Sequence, residues 1–251
     1  MITIDQEQGT ITVEGRTLRL DTQEGFFALA DVWMDAAMRV KLPYTFTWLG
    51  RPVIQFAEDL LRVQELIYAV KPDVILETGV AHGGSLIFHA SLCKILERGR
   101  VIGIDIDIRS HNRKAIEAHA LSPWISLFEG SSTDPDVVRA VVETISPGEK
   151  VLLLLDSDHS KAHVLAELEA WSGLVGCGSY IVALDGHAME AAASAPRAAP
   201  DWQTNNPNAG VAEFLRRHPE FRAVAGPLPF NESKLSEHLT GFHGGLIERI
   251  A

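Results

Sequence analysis

From Pro52 onward the chain repeats one pattern, a short and mainly apolar run followed by a stretch with helical apolar spacing. The runs are Val74–Leu76, Val101–Ile106, Ile125–Phe128, Val151–Leu155 and Tyr180–Leu184, and the helical stretches fall near 84–97, 112–118, 135–145 and 161–174. A strand that is apolar on both sides needs cover on both sides. The alternation therefore predicts a buried parallel sheet with helices on each face. A helix over Glu58–Val70, stopped by Lys71-Pro72, leads into the first strand. Phe221–Ala225 and Leu239–Arg249 read as two further edge strands, which brings the sheet to seven. The expected fold class is α/β, with a mostly parallel seven-stranded sheet.

The first 50 residues read differently. Residues 2–20 alternate apolar and polar around Glu7-Gln8-Gly9, the pattern of a small hairpin. Asp21 to Val40 follows helical spacing, with Phe26, Phe27, Leu29, Ala30, Val32, Trp33 and Ala37 on one face. Lys41 to Pro52, with its aromatics and two prolines, reads as irregular. The expected division is an extension over residues 1–50 and a main domain over 51–251. Ala188–Pro200 is rich in alanine and reads as a loop or weak helix.

Composition limits the partners. The net charge of −11 repels nucleic-acid phosphates, and the basic patch Arg109–Lys114 does not reverse that. The start lacks a basic and apolar leader, and no run reaches the roughly 18 apolar residues of a membrane span. Two cysteines in apolar surroundings, Cys93 and Cys177, fit a reduced compartment. These features point to a cytoplasmic protein with small-molecule ligands, no nucleic acid and no membrane. A homo-oligomer is the expected state.

Ligands of open parallel sheets bind beyond the carboxyl ends of the strands. The first strand runs into Glu77-Thr-Gly-Val-Ala-His-Gly-Gly-Ser85, where Gly79, Gly83 and Gly84 permit a sharp turn and close backbone approach to a ligand. Neither G-x-G-x-x-G nor Gly-Lys-Ser is present, which weakens dinucleotide and P-loop readings. Glu77 would repel a pyrophosphate but suits a cationic amino-acid ligand. Asp105 lies 26 residues beyond Gly79, where an acid can take ribose hydroxyls. The third strand ends in Glu129-Gly-Ser-Ser-Thr-Asp134, small polar residues that suit an adenine pocket. The fourth ends in Asp156-Ser-Asp158-His159 and the fifth in Asp185-Gly-His187. Carboxylates gathered at neighbouring strand ends suit a hard divalent cation, and a nearby Asp or His can take a proton.

The stretches Gly50-Arg-Pro-Val-Ile-Gln-Phe-Ala-Glu-Asp59, Leu76–Ser85, Ile102–Asp107, Glu129–Asp134 and Leu155-Asp-Ser-Asp-His-Ser160 resemble the cephalosporin hydroxylase family. Despite its name that family has a methyltransferase fold, and the chain is more distantly similar to metal-dependent methyltransferases of macrolide and aminocoumarin pathways. The resemblance covers roughly residues 50–250. It implies a Rossmann-like class I methyltransferase fold that binds S-adenosylmethionine and transfers a methyl group to a hydroxyl of a sugar or other natural product. The implied cofactor contacts are Glu77, Gly79, His82, Gly83, Ser85, Asp105, Ile106, Ser131, Ser132 and Asp156. Mg²⁺ would sit on Asp156, Asp158 and Asp185, and Asp156, His159 and His187 are the catalytic candidates. In such families the fifth strand often ends in two acids, whereas here it ends in Leu184-Asp185. His187 or Asp156 would then have to substitute.

Plainer roles compete at several positions. Asp107 can pair with Arg109 or Arg113, and Asp158 can cap the helix beginning near Ser160. His163 reads as a helix-surface residue, His89 as packed, and Glu167 and Glu169 as a solvated helix face. Tyr44, Phe46 and Trp48 form a substrate wall or dock the extension. Two other functional classes remain: an accessory subunit, favoured by Leu184, and a nicotinamide oxidoreductase, disfavoured by the missing G-x-G-x-x-G.

Overall fold

The computed structural model describes residues 1–193 and 198–251, so part of the alanine-rich stretch, including Pro196, lies outside the described residues. The N-terminal residues build three antiparallel strands, β1 (Ile2–Asp5), β2 (Thr10–Val13) and β3 (Arg16–Arg19), in place of the expected hairpin. The second turn escapes the sequence pattern because Glu14-Gly15 is so short; both residues adopt positive φ. Helix α1 (Gln23–Arg39) starts at Thr22, whose side chain accepts the Gly25 N–H. The stretch Lys41 to Pro52, expected to be irregular, is taken up by a 3₁₀ turn (Leu42–Thr45) and a tight hairpin of β4 (Phe46–Trp48) and β5 (Arg51–Val53). Its Trp48 ring lies edge-on to Phe88 at 4.9 Å and its indole N–H donates to Ser91. Trp48 thus docks the hairpin onto the main body.

The repeating pattern follows as expected. It runs through α2 (Ala57–Val70), β6 (Val74–Thr78), α3 (Gly84–Ile95), β7 (Arg100–Asp105), α4 (Ser110–Glu117), β8 (Ile125–Glu129), α5 (Pro135–Val142), β9 (Val151–Leu155), α6 (Lys161–Trp171) and β10 (Tyr180–Ala183). Two helices not expected as such follow, α7 (Gly186–Ala191) and α8 (Pro207–Leu215), then β11 (Phe221–Ala223) and β12 (Leu246–Arg249). The seven strands lie in the order β11-β12-β10-β9-β6-β7-β8. All neighbours from β10 to β8 are parallel, and β12 runs antiparallel to both β10 and β11.

Side chains alternate across the sheet, and the two faces carry separate cores. Ile75, Leu152, Leu154 and Val182 pack with Val63, Ile67, Ile87 and Ile116 on the side of α2, α3 and α4. Leu76, Ile104, Leu153 and Ile181 pack with Val164, Trp171, Val211 and Phe214 on the side of α6 and α8. The strand order reverses between β6 and β9, so a crevice opens at their carboxyl ends.

Candidate active site

The crevice holds a cleft of about 460 Å³, lined by Gly79, Ala81, Ile104–Ile106, Ser131, Ser132, Asp156–Asp158 and His163. A smaller hollow shares Gly79, Ala81 and Asp156 and is bounded by Gln55, His82, Gly84 and Ser85. Gly79 joins the two. Its φ is +94°, and a Cβ there would come within 2.0 Å of the Asp156 carbonyl oxygen, so only glycine lets this loop lie against the end of β9. The Asp105 carboxylate fixes the same loop. One oxygen accepts the N–H groups of Val80 and Ala81, at 2.8 and 3.1 Å, and the other accepts that of Asp107.

The strand-end residues divide into those that face this space and those that do not. Gly79, Asp105, Ile106, Ser131, Ser132 and Asp156 line the cleft, and His82 and Ser85 line the hollow. Gly83 lines neither; at φ +77° it faces the Ile116 side chain and turns the chain into α3. Glu77 lines neither as well. It points to the same sheet face as Ile75, is fully buried, and lies 3.3 Å from His89 of α3. A strand-end side chain reaches the cleft only from the parity that faces it, which the spacing of the loop does not reveal.

A second network lies under the cleft. Glu167 is wholly buried, contrary to the expected solvated face, and accepts the hydroxyls of Ser132 at 2.5 Å and Ser157 at 2.7 Å. His163 joins them, 3.3 Å from Glu167 and 3.2 Å from the Ser132 hydroxyl. Its bond to Glu167 raises the imidazole pKa above its ordinary value. The Trp171 indole donates to the Ser132 carbonyl. One buried carboxylate thus ties the loops after β8 and β9 together. The i, i+4 spacing of His163 and Glu167 is visible in the sequence; their inward orientation is not.

Asp156, a lining residue of the cleft, gathers with His159 and Asp185, each with one ligand atom within 4.8 Å of the others. The His159 Nε2 lies 3.5 Å from Asp185 and 4.0 Å from Asp156. Asp185 occupies the left-handed region at φ +65°, which aspartate tolerates better than most residues. Two expected members are elsewhere. Asp158 turns away and accepts the Ser160 N–H, while Ser160 itself caps α6; that bonding lowers the Asp158 pKa. His187 lies on α7 with its Nε2 3.0 Å from Asp31 of α1. Leu184 is buried in the apolar core, and the third donor comes from the loop after β9 rather than from β10.

The cluster carries surplus negative charge. Burial, and then the proximity of Asp185 and Glu77, push the Asp156 carboxyl well above the usual range, while a bond from Gln55 opposes this. Asp59, buried behind the cluster, is raised by burial in the same sense, and its Oδ1 accepts the Gly241 N–H at 2.8 Å. Two carboxylates and an imidazole at these separations fit a divalent cation, which would offset the repulsion.

The model of the rhamnosyl O-methyltransferase/CmcI family matches residues 40–249. The chain belongs to this family. Among curated relatives, the rhamnosyl O-methyltransferase of Mycobacterium leprae (strain TN) is 33% identical over 144 residues, 56% of this chain and 60% of that protein. The enzyme of the same name from Mycobacterium bovis (strain BCG / Pasteur 1173P2) is 31% identical over 143 residues, 55% of this chain and 56% of that protein. The chain thus spans less than two thirds of the length of these family members. Solved structures share the fold. A CmcI structure named as a Mg–SAM form gives a TM-score of 0.54 at 20% identity, over 83% of this chain and 78% of that one. A putative caffeoyl-CoA O-methyltransferase from Staphylococcus aureus gives 0.55 at 15% identity, over 90% and 96%. The α/β class and the mostly parallel seven-stranded sheet expected from the sequence are those of the family. Among the described residues no helix is long and apolar enough to cross a membrane.

Proposed function

We propose that the protein is an S-adenosylmethionine-dependent O-methyltransferase acting on a hydroxyl of a sugar or glycoside. The observation that carries this reading is the position of Asp156, which lines the crevice with Asp105 and Gly79 and also belongs to the cluster with His159 and Asp185. Family membership and the rhamnosyl O-methyltransferases among its relatives support it. Residues 1–50 are read as an extension that closes one side of a catalytic domain over 51–251.

In this reading Asp105 accepts the ribose hydroxyls, and Ser131, Ser132 and His163 surround the adenine. Ser85 and Gln55 hold the amino-acid end in the adjoining hollow. Asp156 and Asp185 would hold a divalent cation, which when bound would lower the pKa of the acceptor hydroxyl and orient it. His159 takes the hydroxyl proton at Nε2, and Asp185 beside it stabilises the charge that the ring acquires. The residues lining the crevice supply mainly positioning, since the acceptor oxygen must approach the methyl carbon in line. Glu77 acts from beneath through the charge of the cluster, and Asp158 holds the turn before α6 through the Ser160 N–H rather than ligating. The accessory-subunit reading rests on Leu184, and it weakens because Asp156, Asp185 and the base candidate His159 converge without an acid at that position.

Incubation with methyl-labelled S-adenosylmethionine, Mg²⁺ and a panel of rhamnosyl glycosides tests the proposal. Label should appear on a sugar oxygen, and Asp185→Ala and His159→Ala should each reduce transfer by at least about 10²-fold. Full transfer by both variants, or label on nitrogen or carbon, would refute the assignment.

A further inference from the structure

A second cleft, of about 420 Å³, opens between α1 and residues 237–243. It adjoins the catalytic cluster through the chain itself. His187 on its wall lies two residues beyond Asp185. The opposite wall is tied to α7 and Asp59, since the Ala188 N–H donates to the Gly241 carbonyl and the Gly241 N–H donates to Asp59.

The polar lining is strongly biased. Asp31, Glu237, His187, His238 and His243 face the cleft with the ring of Phe27, and among the described lining residues there is no lysine or arginine. Existing bonds leave acceptor capacity free. Asp31 uses one oxygen for His187, at 3.0 Å, and Glu237 takes the Gln23 amide on one oxygen, at 3.0 Å. His243 lies 3.6 Å from the other Glu237 oxygen.

His238 is a separate observation. It is only 7% exposed, and its Nε2 is 2.7 Å from the Pro227 carbonyl, a partner that can only accept, so Nε2 carries the proton. The Nδ1 lone pair is left buried and without a partner. Burial also lowers the pKa of this ring, which keeps it neutral. A buried acceptor left unmatched calls for a donor. Two carboxylates, an orphan imidazole lone pair and an aromatic face together describe a site for a donor-rich cation.

We propose that this cleft is the acceptor subsite and that it selects a sugar bearing a free amine, bound as its ammonium. The inference rests on the methyltransferase reading for the word acceptor, but recognition of the amine is a separate property of the cleft. Asp31 and Glu237 face the ammonium, the His238 Nδ1 accepts from an amine or hydroxyl hydrogen, and Phe27 takes the apolar face of the ring.

Binding of methyl glucosaminide, its N-acetyl counterpart and methyl glucoside to the whole chain, measured by ligand-observed NMR titration, tests this. The glucosaminide should bind at least about tenfold more tightly than either neutral probe. The double variant Asp31→Asn, Glu237→Gln should lose that preference while S-adenosylmethionine binds as before, which also shows that the variant is folded. Equal affinity for the N-acetyl probe, no binding of any probe, or a preference that survives the double substitution would overturn the proposal. If wild-type protein prefers the amine but binds no S-adenosylmethionine, the methyltransferase reading falls and the cleft assignment stands. If it binds S-adenosylmethionine without preferring the amine, the cleft assignment falls and the methyltransferase reading stands.

Discussion

Glu167 and His163 are the residues whose importance is hardest to foresee. A Glu in the middle of an exposed-looking helical pattern is ordinarily solvated, but here its carboxylate takes two hydroxyl bonds in the protein interior. Glu167→Gln should weaken S-adenosylmethionine binding by about tenfold, because the loops after β8 and β9 lose their common acceptor. The same variant should lower the His163 pKa, readable by NMR titration of its ring, since Glu167 is the first cause of its elevation. A raised imidazole pKa gives stability that is complete below the ordinary histidine value and fades as pH rises through the raised one. An unchanged His163 titration in the variant would contradict the network. Asp156 shares this direction of pH dependence, but the form that prevails at high pH is the charged one. Its raised carboxyl pKa means that stability is lost as pH rises towards and through that value, so keeping Asp156 beside Asp185 and Glu77 costs the metal-free protein more at pH 8 than in acid. Asp156→Asn should therefore raise the Tm at pH 8 by a few degrees, on the order of 1 kcal/mol, while abolishing methyl transfer. The gain should shrink towards pH 5; a fall in Tm at pH 8 would show the site needs the charge for its fold.

The elements of the sheet are legible in the sequence because each strand from β6 to β10 is a run of apolar residues between helical patterns. Val151–Leu155 carries five, and the apolar run has the same limits as the strand. The short elements are not legible. β4 and β5 are three residues each and the pair includes a proline, so no period can show, and α8 begins at Pro207, capped by Asn206, in a stretch with little charge pattern. Among site residues, those on loops that leave the sheet directly, such as Gly79, Asp105 and Asp156, can be placed from strand ends alone. Glu77, Asp158 and His187 cannot, because their direction depends on strand parity, a turn and a partner on α1. The β6–α3 loop makes its own prediction. Gly79→Ala puts a Cβ against the Asp156 carbonyl in a left-handed conformation, and should cost about 2–4 kcal/mol in denaturant unfolding together with most of the cofactor affinity. A variant as stable as the parent would mean that the loop can move off β9.

At the scale of the whole molecule, the strand order gathers Gly79, Asp105, Asp156 and Asp185 at the carboxyl ends of the parallel strands. The reversal between β6 and β9 brings Gly79 beside Asp156, β7 adds Asp105, and β10 adds Asp185. α1 packs on α7 and carries Asp31 to His187, so the extension contributes a wall to the second cleft. Asp185 lies close enough to Asp59 and Asp156 to raise the carboxyl pKa of each, and a cationic sulfonium and a divalent ion are both favoured beside such a group. We propose that the crevice at the carboxyl ends of β6, β7 and β9 is an S-adenosylmethionine site organised by Asp105. Isothermal titration of the wild-type chain with S-adenosylmethionine should give a saturable isotherm with one site per chain, and Asp105→Ala should weaken it by at least about tenfold. No saturable binding up to about millimolar ligand, or an isotherm indifferent to Asp105, would contradict the account.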